Sequence, residues 1–244
     1  MAIDRTLLDL ADRDGIAALR LYAWAPHCLS FGRHEPALRR YDRARVAALG
    51  LDAVRRPTGG RAVWHAAELT YAVAAPTALL GTLGEAYERV HRVFADAIAR
   101  LGVTAARAPR PVRAAAPDAG ACFSQPAGGE LLVAGRKVLG SAQLRIGSAL
   151  LQHGSLLLAG DQSLIGALGC DAPSPLASAA EIAGECGGAL PLGRRVTFEE
   201  ASAAVRAAAA GAWPVEPFAG AEEFAADAAR AYPEFRDPAW TWRR

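Results

Sequence analysis

The stretch from Thr82 to Leu101 restricts the folds open to this chain more than any other. Leu83, Tyr87, Val90, Phe94, Ile98 and Leu101 recur at helical spacing, Thr82 and Glu85 make a capping box, and Gly102 ends the run. This is a core helix, and its His91 is read as a surface residue rather than a ligand. Around it the pattern changes to strands: Ala18 to Trp24, Leu29 to Phe31, Leu69 to Ala75 and Leu150 to Leu158. Two hairpins are expected. In one, Ala53 to Thr58, the pair Gly59-Gly60 and Arg61 to His65 form strand, tight turn and strand. In the other, Glu130 to Val133 and Lys137 to Gln143 flank a turn at Ala134 to Arg136.

The remaining helices are Ala2 to Ala11, a basic one from Ala37 to Leu49, Phe198 to Ala212 behind a Thr197/Glu200 cap, and about Glu222 to Ala231. Ala105 to Gly120, rich in Ala, Pro and Arg, is a loop. Strands in hairpins with helices set apart from them predict an α+β fold, a mixed or antiparallel sheet with flanking helices. Without repeats or a long linker, residues 1–244 are expected to form one domain, with about 195–244 as its helical C-terminal extension.

Composition narrows the function. An apolar fraction of 52% supports a sizeable core, and a net charge of +2 gives no basic excess of the kind nucleic acid attracts. Cys28, Cys122, Cys170 and Cys186 form no CxxC, which argues against a zinc site or a disulfide framework. The opening MAIDRTLLDLADRDG is amphipathic and acidic, unlike a secretory leader, and no apolar run reaches membrane-spanning length. The expectation is a soluble cytoplasmic protein with no metal, no nucleic-acid partner and no membrane partner. No Rossmann or P-loop glycine pattern is present.

One residue is conspicuous. Lys137 is the only lysine, so 26 of the 27 basic side chains are arginine. An ammonium is a compact charge whose three donors rotate around one acceptor, which a guanidinium cannot imitate. Close to the first hairpin turn, Arg55, Arg56 and Arg61 stand ready for anionic groups, and paired glycines let a backbone approach a ligand.

Four motifs, RRPTGGRAVWH, LTYAV, GRKVLGSAQLR and LLQHGSLLL, occur in that order, after LYAWAPHCLSFG near the start. Together they resemble the lipoate-protein ligase and octanoyltransferase family, related in fold to biotin protein ligases. The likeness runs from about Met1 to Leu158. Within the family, ACF at Ala121 to Phe123, the intact GRKVLGSAQ and the GGRAV turn are similar to the LipM-type octanoyltransferases. The chain departs from the usual pattern at Ala66, Glu35 and Gly129.

The resemblance implies transfer of an octanoyl group from acyl carrier protein to a lysine of a lipoyl domain, such as the glycine-cleavage H protein or a 2-oxoacid dehydrogenase E2. It makes Cys122 the nucleophile and sets Lys137 against the acyl carbonyl. Substrate-binding positions fall at Arg56, Thr58, Gly59, Gly60, Arg61, His65, Gly140, Ser141, Ala142 and His153. No cofactor is required. An acyl-cysteine would split thioester-to-amine transfer into two steps, and an ammonium beside the thiol would raise its thiolate fraction. The acceptor lysine costs about 4–5 kcal/mol to deprotonate at pH 7; His65 and His153 are candidates for the base, each with a structural hydrogen-bonding role as the alternative. The rivals are an ATP-dependent lipoate ligase, using ATP, Mg2+ and lipoate without Cys122, and a non-catalytic lipoyl-binding accessory protein.

Overall fold

The computed structural model describes residues 1–109, 129–160, 162–172, 190–218 and 220–243. Its largest sheet joins β1 (Ala18–Tyr22), β5 (Glu68–Pro76), β10 (Ala149–Leu157) and β9 (Leu139–Ile146) in the order β1-β5-β10-β9, antiparallel throughout. Strand alternation gives this sheet two different faces. Leu69, Tyr71, Val73 and Ala75 of β5 enter one core with α5 (Leu83–Arg100) and α7 (Phe198–Ala212). Ala72 and Ala74, which alternate with them, pack instead on Leu7, Leu8 and Ala11 of α1 (Ala2–Asp14). Each fully buried Leu or Phe in these layers contributes about 1.5–3 kcal/mol. Both long α-helices on the first core begin with the expected capping boxes, Thr82 with Glu85 and Thr197 with Glu200.

A second sheet has the order β3-β2-β4, from β2 (Cys28–Phe31), β3 (Asp52–Arg55) and β4 (Val63–His65). Here the expected hairpin around Gly59-Gly60 does not form. β3 and β4 do not pair; β2 lies between them, parallel to β3 and antiparallel to β4. A parallel neighbour needs a crossover, supplied by α2 (Ala37–Arg40) and α3 (Arg43–Ala48). Residues 56–62 therefore bridge across the end of β2 instead of making a tight turn.

The basic helix expected from Ala37 to Leu49 is also two helices. Tyr41 is extended (φ −124°, ψ 136°), its hydroxyl donates to Glu35 Oε1 at 2.7 Å, and Asp42 accepts from the backbone of Ala44 and Arg45 to start the second piece. The lysine hairpin is shorter than expected. β7 (Leu131–Val133) and β8 (Arg136–Lys137) pair within a third small sheet with β6 (Ala106–Arg107), and β9 starts after Val138 in the large sheet.

The chain closes with α8 (Ala221–Ala231), a 3-10 turn (Pro233–Arg236) and α9 (Pro238–Thr241). Trp242 joins the core of the second sheet beside Phe31 and Leu29. No helix among the described residues is long and apolar enough to cross a membrane.

Candidate active site

A cleft with about 440 Å³ of empty space, its mouth included, is walled by the four-stranded sheet and the β3-β2-β4 sheet. Tyr22, Trp24, Val63, Gly140, Ala142 and Gly154 supply much of an apolar wall, and Arg56, Gly60, His65, Ser141 and His153 also border it. Seven of the sequence-predicted positions thus meet at one cavity: Arg56, Gly60, His65, Gly140, Ser141, Ala142 and His153. Thr58 and the half-buried Arg61 belong to the same 56–62 connection, with Gly59 between them, but stand back from the wall.

That connection is fastened by its own arginine. Arg56 donates to the Ser30 carbonyl at 2.9 Å and the Ser30 hydroxyl at 2.5 Å, and to the carbonyls of Gly59 at 3.3 Å and Arg61 at 2.8 Å. Its guanidinium builds the wall as well as facing it. Gly32 is also required: a Cβ there would lie 1.8 Å from the Gly60 carbonyl oxygen. Arg55, expected to serve anions, is fully buried and donates to backbone carbonyls of Gly32, Glu35, Trp240 and Arg243 among others.

The two cleft histidines are each built into a chain of hydrogen bonds. His65 stacks on Trp24 with ring centroids 4.5 Å apart and places Nδ1 2.6 Å from Glu68 Oε1. Its Nε2 lies 2.5 Å from the Ser30 hydroxyl. The Ser30 hydroxyl accepts from Arg56 and keeps one proton, which it can donate to His65 Nε2 when that ring carries its own proton on Nδ1. His153 Nδ1 lies 3.0 Å from Asp4 Oδ2, and its Nε2 lies 2.6 Å from the Thr58 hydroxyl. Burial opposes charge on Asp4. The His153 hydrogen bond and the positive charge around it, Arg20 included, outweigh that and hold the carboxyl well below the usual range. Burial lowers the His153 pKa more than Asp4 raises it, so the ring is neutral.

Lys137 lies outside this wall, three residues upstream of Gly140. Its ammonium is buried and donates to Glu130 Oε1 at 2.5 Å. His91, read as a surface residue, is fully buried at the same corner. It spans Gly129 O at 3.2 Å and the Ser141 hydroxyl at 2.8 Å, and burial, with the Lys137 charge adding to it, lowers its pKa to about 4. Cys122 falls outside the described residues, so the structure does not place it against Lys137. Cys28 is buried in β2, where desolvation pushes its thiol far up, as suits an inert apolar residue. No group of three or more metal-ligating side chains occurs among the described residues.

The sequence model of the lipoyl protein ligase A/B catalytic domain matches residues 1–207. The chain belongs to that family. An octanoyltransferase LipM of Symbiobacterium thermophilum is 42% identical over 151 residues, covering 59% of this chain and 55% of the relative. An octanoyltransferase LipM of Kyrpidia tusciae is 38% identical over 154 residues, covering 59% of this chain and 56% of the relative. The chain thus spans just over half the length of these relatives. Among solved structures, a bipartite lipoate protein ligase studied with its E2 lipoyl domain, from Thermoplasma acidophilum, superposes with a TM-score of 0.71 at 18% identity, over 99% of this chain and 89% of that one. At that identity the likeness carries the fold, and the fold is the α+β one expected.

Proposed function

We propose that this chain moves an octanoyl group from the thioester of an acyl carrier protein to the ε-amine of a lipoyl-domain lysine, through an acyl-enzyme on Cys122 and without ATP. The observation that carries the reading is the burial of the only lysine. Lys137 is held against Glu130 where β8 leads into the cleft strand β9, and the relatives that share 38–42% of their aligned residues are octanoyltransferases. In this scheme the octanoyl tail fills the apolar cleft. At about 0.8 kcal/mol per methylene it gains sub-millimolar affinity at best, so the protein partners supply the rest of the binding. The carrier's thioester is attacked by the Cys122 thiolate: the new S–C bond forms, the bond from the acyl carbon to the carrier's sulfur breaks, the carrier leaves as its thiolate, and Lys137 donates to the oxyanion. Such a donor is worth roughly 3 kcal/mol in acyl transfer. The neutral acceptor amine then attacks the acyl carbonyl on Cys122: the N–C bond forms, the S–C bond breaks, and the amine's surplus proton goes to the departing Cys122 sulfur.

Intact mass after incubation with octanoyl carrier protein, without nucleotide, tests the proposal. The expected result is an octanoyl adduct that maps to Cys122 and disappears when a lipoyl domain such as H protein is added. A Cys122→Ser variant that attaches lipoate with ATP at the wild-type rate overturns it in favour of a ligase.

A further inference from the structure

Thr58, His153 and Asp4 stand in the order hydroxyl, imidazole, carboxylate, at 2.6 Å and 3.0 Å. That is the spacing of a nucleophile, its base and an orienting acid. Thr58, however, is 1% exposed and does not border the cleft, so no acyl group reaches its hydroxyl. What Thr58 holds is different. It immediately precedes Gly59-Gly60, and its carbonyl accepts from the Arg33 backbone at 2.7 Å.

The donor roles along this chain follow from one end. The Asp4 carboxylate is fully buried and accepts from Arg20 at 2.7 Å as well as from Tyr22 at 3.3 Å. A carboxylate can only accept, so His153 carries its proton on Nδ1 and presents a lone pair at Nε2. The Thr58 hydroxyl must then donate to that lone pair. A helix at the start of the sequence thereby fixes a loop in the second sheet through a strand of the first.

We propose that Asp4 is a positioning residue for the cleft, acting through His153 and Thr58 on the glycine connection that carries Gly60. The inference rests on the octanoyl-transfer reading for its kinetic consequence, while its hydrogen-bond content is independent of it. Removing the Thr58 donor or the Asp4 acceptor loosens one and the same support, so the two changes are not additive.

The tests use the full chain. In 15N imidazole spectra, with His153→Gln assigning the signal, wild-type protein is expected to show His153 protonated at Nδ1, and Asp4→Asn to shift it toward the other tautomer. In octanoyl transfer, Thr58→Val is expected to raise KM for the octanoyl carrier protein about tenfold with a smaller change in kcat, the scale of one buried hydrogen bond. Thr58→Ser, which keeps the donor, restores KM. The double variant Asp4→Asn/Thr58→Val is expected to have a KM no higher than the worse single one. Multiplying KM effects in the double variant, or an Nε2-protonated His153 in the wild type, overturns the inference. If wild-type protein shows the expected tautomer yet transfers octanoate from no donor, the transferase reading and the kinetic role fall while the strut itself stands.

Discussion

His91 shows how a single buried residue can be misjudged from its type. It sits next to Val90 and one turn after Tyr87, on the flank of the apolar stripe of α5, where a polar side chain is usually outside. What makes it buried is not visible along the helix. Gly129 and Ser141, from segments far along the chain, satisfy its two nitrogens, and only folding brings them there. A measurable consequence follows from its pKa, lowered by burial to about 4 against about 6.5 in an unfolded chain. Below pH 6.5 the unfolded chain binds a proton that folded His91 refuses. Stability is therefore full above pH 6.5, falls by up to about 1.4 kcal/mol per pH unit down to about pH 4, and levels off below. His153, also lowered, acts in the same direction. Urea unfolding at pH 7, 6 and 5 is expected to show this slope, and His91→Gln, which does not titrate, to make it shallower. An equal slope in the variant would mean that His91 protonates as easily folded as unfolded.

At the scale of elements, the glycine connection and the loop after β2 interlock by backbone contact. A Cβ at Gly32 meets the Gly60 carbonyl, and its carbon at 2.8 Å, with no flexible side chain to give way. Gly32→Ala is expected to cost about 1–3 kcal/mol, the range for overpacking, and to raise KM more than it lowers kcat, because Gly60 borders the cleft. A variant with wild-type KM and unfolding midpoint would show that the two loops move apart freely. The local elements here were legible: the capping boxes, the strands at Leu69 to Ala75 and Leu150 to Leu158, and the motif residues that line the cleft. Their pairing was not. Nothing between Ala53 and His65 signals that β2 inserts between β3 and β4, because that choice is made by the crossover through α2 and α3. Strand-turn-strand patterning specifies only neighbours in sequence.

On the scale of the whole molecule, the C-terminal segment and the cleft share a fastening at Arg55. Its guanidinium is fully buried and its hydrogen bonds run to carbonyls rather than to a carboxylate: Gly32 at 2.7 Å and Glu35 at 2.8 Å on one side, Trp240 at 3.0 Å and Arg243 at 3.0 Å on the other. Burial, with the Arg243 charge adding to it, lowers its pKa to about 10, which leaves it charged at neutral pH. Gly32 is the residue under Gly60, so the tail braces the floor of the glycine connection from behind. A lysine has three donors and no fork with which to reach both groups of carbonyls. Arg55→Lys is expected to destabilise the protein by about 1–3 kcal/mol for each carbonyl left buried and unpaired. The loss should be local first. Hydrogen exchange at Trp240 to Arg243 and at Gly32 to Glu35 is expected to rise at least tenfold together, before the amides of α5 respond, since local opening precedes global unfolding where few contacts hold a segment. Exchange that rises in the tail alone, with Gly32 to Glu35 unchanged, would uncouple the two and leave the cleft standing on its own sheets.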